Sequence, residues 1–224
     1  MPREIVGRRV ELLALRALVA SAAPAGFAAR VLEGEPGIGK TTLWFEGVRL
    51  AEESGANVLF ARPTAPESRL PYSVLGDLVR AIGAARLHAL AGSAHEALRD
   101  AALLTARESL PDERLVSRGL ADVLEALASE GLLVVAIDDV QWLDERSRAA
   151  LAYGLRRLIR TRARVLLARR PPLGASTALE DALPSTHLDL LTIGPLSLSA
   201  LHEIVLDRTG ASLPRPLLVR VSRA

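Results

Sequence analysis

The stretch Gly34-Glu-Pro-Gly-Ile-Gly-Lys-Thr41 decides how this chain is read, and it holds the only lysine among 224 residues. The other 27 of the 28 basic residues are arginine. A loop that cradles phosphate must turn its backbone N–H groups inward, through φ values that side chains resist. Gly34, Gly37 and Gly39 supply that freedom. Lys40 brings a compact ammonium on a flexible stem to the β and γ phosphates, and Thr41 offers a hydroxyl to Mg²⁺. The spacing marks Gly34, Glu35, Pro36, Gly37, Ile38, Gly39, Lys40, Thr41 and Thr42 as nucleotide-binding candidates.

The flanks suit such a loop. Residues 30–33 form a short apolar run entering the glycines, hence a strand. Residues 41–53 read as a helix whose positive end faces the phosphates, closed by Ser54-Gly55 with glycine as its cap. A second strand follows at 57–61, then a mostly helical stretch over 72–129. Its last helix has Pro111, Asp112 and Glu113 at the start and Leu120, Val123, Leu124 and Leu127 on one face. Residues 132–138 are nearly unbroken apolar, the mark of a strand covered on both sides. A helix at 145–160 and strands at 164–168 and 188–191 complete the pattern, and a further helix starts after Gly194-Pro195-Leu196. Strands separated by helices predict an α/β fold with a parallel sheet sandwiched between helices. The expected division is an ATP-binding domain over 1–193 and the start of a helical lid over 194–224.

The second constellation is Asp138-Asp139, at the C-terminal end of the apolar strand. Asp138 is the metal-side acid, and Asp139 is placed to orient or deprotonate an attacking water; with Lys40 it forms the candidate catalytic pair. Asp144, in the following Val140-Gln-Trp-Leu-Asp144, is expected to N-cap the next helix, and Trp142 to be a packed anchor rather than an adenine platform. The strand at 164–168 ends in Arg169-Arg170, and either arginine is a candidate sensor of the γ-phosphate.

Composition removes several classes. No cysteine is present, so no disulfide frame, zinc-thiolate site or thiol chemistry is expected, which fits a cytoplasmic protein. Residues 12–25 superficially resemble a signal peptide, but Glu11 and Arg16 interrupt them; Val10, Leu13, Ala14, Ala17 and Leu18 make a helical stripe instead. No uncharged run approaches the ~20 residues of a membrane span. The net charge of +2 carries no polyanion signature. Arg156, Arg157, Arg160, Arg162 and Arg164 cluster without interleaved aromatic residues, so contact with nucleic acid is not expected from them.

With these residues in hand, the chain resembles the ATPase domain of the large ATP-binding LuxR-type (MalT-like) regulators, within the STAND and AAA-like ATPases. The resemblance rests on Val6-Gly-Arg8, the phosphate loop, Leu70-Pro-Tyr-Ser-Val-Leu75, Asp138 to Asp144, Ser147, and Gly194-Pro-Leu-Ser197. It implies a switch in which ATP binding and slow hydrolysis gate assembly, through self-association or a protein partner. It also implies Val6, Gly7 and Arg8 on the base side, although Arg9 stands where an acidic residue commonly follows. Members of that family continue into a fuller lid and a helix-turn-helix; this chain ends first, so the lid is expected to be incomplete and DNA binding is not carried over. A guanine-reading element with its own lysine is absent, which favours ATP over GTP. A non-catalytic nucleotide-binding protein or truncated remnant, and a small-molecule phosphotransferase, are the alternatives. Arg146 and Arg148 are candidates for a finger acting on a neighbouring molecule.

Overall fold

A computed structural model describes residues 5–20, 26–83, 92–103, 110–171 and 179–221. In chain order these hold α1 (Arg9–Val19), β1 (Ala28–Glu33), α2 (Lys40–Glu53), β2 (Asn57–Ala61), α3 (Ser73–Ile82) and α4 (Ser93–Leu103). There follow α5 (Glu113–Glu130), β3 (Leu133–Ile137), α6 (Glu145–Arg157), β4 (Ala163–Arg169), β5 (Leu188–Thr192), α7 (Leu198–Thr209) and α8 (Arg215–Val221). The expected strands and helices match these elements closely. The helix expected at 145–160 stops at Arg157 and tightens into a 3-10 turn over Leu158–Arg160. Parts of the expected helical stretch over 72–129, and the Ala-Pro-Ala of the leader-like segment, lie outside the described residues.

All strand pairs are parallel, in the order β2-β3-β4-β1-β5. The central strands β3 and β4 are buried at every position, as expected where helices cover both faces. Strand alternation sends Val31, Val135, Ile137, Val165 and Leu167 into a core shared with α3, α5 and α6. Leu32, Ala136, Leu166 and Ala168 point the other way, under Leu15 and Leu18 of α1 and Leu43, Trp44 and Val48 of α2. The Asp112 side chain accepts from the N–H groups of Arg114 and Leu115, starting α5 as the sequence suggests.

One expected face is wrong. Helix α1 forms, but it buries Leu15, Leu18 and Val19, while Val10 and Leu13 are 71% and 56% exposed and Ala17 is also exposed. Leu12, Leu15, Leu18 and Val19 make as good a helical stripe as the one expected. Burying a large aliphatic side chain is worth about 1.5–3 kcal/mol, so contact with Trp44 and Val48 selects the face. Among the described residues no helix is long and apolar enough to cross a membrane.

Because β4 lies between β1 and β3, the C-terminal ends of these three strands share one rim of the sheet. That rim brings the phosphate loop after Glu33, the Asp138-Asp139 pair and Arg169-Arg170 together.

Candidate functional site

The phosphate loop closes by local necessity. Gly37 and Gly39 take φ of +77° and +102°, the left-handed region that favours glycine, and Gly39 sits at the head of α2. Lys40 is buried, and its Nζ donates to the carbonyls of Gly34 and Glu35 at 2.8 Å each. Burial lowers the pKa of this ammonium below the usual lysine value, against the raising pull of Asp139; nearby Arg170 lowers it further, while Asp138 and Glu35 raise it. Thr41 Oγ1 donates to Asp138 Oδ2 at 2.9 Å, across 97 positions of sequence.

Asp138 is 1% exposed. Burial raises its carboxyl pKa above the ordinary range; the Thr41 hydrogen bond opposes this, Asp139 adds to it, and Arg62 opposes it. Arg62 Nε stands 3.4 Å from Asp138 Oδ2, and its guanidinium lies over the Phe45 ring. A hydroxyl beside a buried carboxylate that is costly to ionise is a donor set suited to Mg²⁺. Asp139 adopts φ +46°, and its Oδ1 accepts from Gln141 Nε2 at 2.7 Å.

The two arginines at the end of β4 separate cleanly. Arg169 is buried in ion pairs with Glu33 (2.9 Å) and Glu180 (3.0 Å), so its charge is already matched. Arg170 is exposed, with its guanidinium 5.8 Å from the Trp142 ring centroid.

A family model described as an AAA ATPase domain matches residues 4–168. The chain belongs to this family. It is thus a P-loop ATPase domain of the AAA type, and its sheet and helices agree with that fold. Among solved structures, the Orc1 protein of Aeropyrum pernix in complex with DNA is similar at 20% identity and a TM-score of 0.61, covering 99% of this chain and 56% of that one. The replication initiator DnaA bound to AMPPCP and single-stranded DNA matches at 15% identity and 0.56, covering 98% and 57%. AMPPCP-bound DnaA from Aquifex aeolicus matches at 13% and 0.53, covering 96% and 55%. The chain therefore spans little more than half the length of these proteins. No curated protein matches it.

These findings correct the expectation that DNA binding is unlikely in this chain: two of the solved structures sharing the AAA domain's fold hold DNA. In the arginine cluster, the Arg157 guanidinium lies 3.7 Å from the Tyr153 ring centroid, one helical turn earlier. Arg164, from the same cluster, is a buried strand residue donating to the carbonyls of Leu18 and Gly26.

Beside the AAA domain's phosphate loop lies a mostly apolar cavity of about 230 Å³. Val6, Arg8, Ile38 and Thr42 line one side, and Leu196, Ile204, Asp207 and Arg208 the other. Arg8 is buried and donates to the Ile38 carbonyl (2.9 Å), the Gly194 carbonyl (2.8 Å) and Glu11 (3.0 Å). It thus staples the chain's start to the phosphate loop and to the entry of α7. Gly7 is not part of the lining; a Cβ there would stand 2.4 Å from Ala200 Cβ, so this glycine lets α7 approach.

Several site residues carry no mark in the reading of the sequence. Gln141 lies inside a segment already noted, and Arg62 directly follows β2, the strand beside β3. Asp207 and Arg208 come from a helix whose packing direction periodicity does not give. Trp142 is half-buried beside Arg170 and is not among the residues lining the cavity. Arg146 pairs with Glu113 at 2.8 Å, and Arg148 donates to the Leu143 carbonyl.

Proposed function

We propose that this AAA domain binds Mg·ATP, hydrolyses it slowly, and uses its nucleotide state to control assembly, in the manner of the STAND and LuxR-type regulators its motifs resemble. Residues 34–42 hold the phosphates, with Lys40 at the β and γ positions. Thr41 and Asp138 hold Mg²⁺, Asp139 receives the proton of the attacking water, and Val6 and Arg8 lie on the base side. Arg170 is the γ-phosphate sensor in preference to Arg169, whose charge Glu33 and Glu180 already balance. Residues 1–193 form the ATP-binding domain, and 194–224 contribute the lid side of the base cavity.

The observation that carries this reading is the 2.9 Å hydrogen bond from Thr41 Oγ1 to Asp138 Oδ2. It joins the end of the phosphate loop to the acid at the end of β3, the two groups a nucleotide-bound Mg²⁺ needs together. When bound, that ion supplies positive charge to the β and γ oxygens. DNA belongs among the partners to be assayed, since the Orc1 and DnaA structures of this fold hold it.

The test pairs phosphate release with mass in solution. Released phosphate should exceed that of Lys40→Ala, and light scattering should give different masses under ADP and a non-hydrolysable ATP analogue, alone or with DNA. Bound Mg·ATP with turnover equal to Lys40→Ala leaves a non-catalytic binding protein. One mass in every nucleotide state, with and without DNA, removes the switch.

A further inference from the structure

Gln141 is placed to do more than fill a turn. Its Nε2 donates to Asp139 Oδ1 at 2.7 Å, and its Oε1 faces the backbone N–H of Arg170 at 3.4 Å, a long but correctly signed contact. Chemistry fixes the orientation of the amide. A carboxylate oxygen only accepts and a backbone N–H only donates, so the flipped amide would oppose two acceptors at one end and two donors at the other. Gln141 therefore links the acid at the end of β3 to the residue at the end of β4.

Asp139 needs such a holder. Its backbone sits in the left-handed region at φ +46°, and the 3-10 turn Val140–Trp142 begins immediately after it. Among the described residues, Gln141 is the side chain that hydrogen-bonds its carboxylate. That bond occupies Oδ1 and leaves Oδ2 for another donor. The next residue, Trp142, lies under the Arg170 guanidinium. Gln141 and Trp142 thus touch the backbone and the side chain of the same arginine.

We infer that Gln141 is a positioning residue: it occupies Asp139 Oδ1 so that Oδ2 faces the attacking water, and it ties that aim to the placement of Arg170. This rests on the reading of Asp139 given above. The bond is to the group that acts in the chemical step, so losing it lowers turnover and leaves nucleotide affinity in place. Misplacing a reacting group by about 1 Å costs up to ~100-fold.

The experiment uses the full chain with Mg·ATP and four variants: Gln141→Met, Gln141→Glu, Asp139→Asn and Gln141→Met/Asp139→Asn. Met fills the space without hydrogen-bonding, while Glu keeps an acceptor for the Arg170 N–H and loses the donor to Asp139. Either Gln141 variant should lower kcat about 10–100-fold, with the ATP dissociation constant within about twofold of the unaltered chain. In the Asp139→Asn background, Gln141→Met should change kcat less than about twofold, because its effect acts through that carboxylate. If Gln141→Met does not fold, Gln141→Glu carries the same comparison.

A kcat within twofold of the unaltered chain overturns the inference, as does an undiminished loss in the Asp139→Asn background. An equal loss in affinity and kcat would also overturn it, since that marks general damage to the site. If Asp139→Asn turns over as the unaltered chain does, or the unaltered chain does not turn over, the reading of Asp139 fails first. An inactive Asp139→Asn beside a fully active Gln141→Met removes the role of Gln141 alone.

Discussion

Replacing Asp144 tests whether the most distinctive segment of the chain is tied together as the structure shows. Asp144 is 3% exposed. Its Oδ1 accepts from the N–H groups of Ser147 and Tyr72, each at 2.9 Å, and its Oδ2 accepts from Ser73 Oγ at 3.0 Å. One carboxylate therefore caps α6 and also holds the entry of α3, 72 positions earlier, where Tyr72 takes φ +61°. Asp144→Ala removes all three bonds and strands two buried N–H groups. An N-cap loss costs about 1 kcal/mol, and each hydrogen bond to a charged acceptor about 1.5–3 kcal/mol. Allowing for non-additivity, the total is about 3–5 kcal/mol. At roughly 2 °C per kcal/mol for a domain of this size, the melting point should fall by about 6–10 °C. Asp144→Asn keeps an oxygen for the two N–H groups, and its amide can donate to Ser73 Oγ, so it should cost about 1–2 kcal/mol. Urea denaturation, compared at constant slope, measures both. A cost below about 1 kcal/mol for Asp144→Ala, or equal costs for the two variants, would refute the shared-carboxylate account.

Two further outcomes are expected. Arg169→Ala removes the buried cation between half-buried Glu33 and buried Glu180 and should cost about 3–5 kcal/mol of stability by denaturant unfolding; Arg170→Ala should stay within about 0.5 kcal/mol but lower ATP turnover about 100-fold. Burial raises the folded-state pKa of Asp138 above its unfolded value, so the folded chain binds more protons between the two and loses stability as pH rises through that window. Asp138→Asn should therefore raise the stability of the nucleotide-free chain at pH 7, a gain that fades as pH falls into the ordinary carboxylate range, while abolishing any Mg²⁺-dependent gain from ATP. Melting curves across pH check the sign.

The strands and helices were readable because burial on both faces forces β3 and β4 to be apolar throughout, and because glycine and proline punctuate the turns. The face of α1 was not. Apolar residues surround that helix, and the choice between Leu13 and Leu15 belongs to α2, a partner that periodicity does not reveal. The phosphate loop and the acid pair stood out because their chemistry is local in sequence. Arg169 and Arg170 were indistinguishable as neighbours at a strand end, since alternation sends them to opposite sides and only the positions of Glu33 and Glu180 say which is neutralised. Asp144 was legible as a cap but not as the anchor of Tyr72 and Ser73, a contact made by the fold. Gln141 was hidden similarly: its partners are two and 29 positions away, and the distant one directly follows another strand.

The most direct test of a working Mg·ATP site is a thermal titration of the purified chain with ATP, ADP and GTP, with and without Mg²⁺, beside Lys40→Ala. Lys40 lies at the junction of the loop and α2, its ammonium held by the Gly34 and Glu35 carbonyls and destabilised by burial. A ligand at a hundred times its dissociation constant adds about 2.7 kcal/mol, so the melting point should rise by about 5 °C with Mg·ATP. GTP should do little, and Lys40→Ala should stay folded and lose the shift. A folded chain whose melting point ignores ATP, or a shift that survives in Lys40→Ala, would contradict the account.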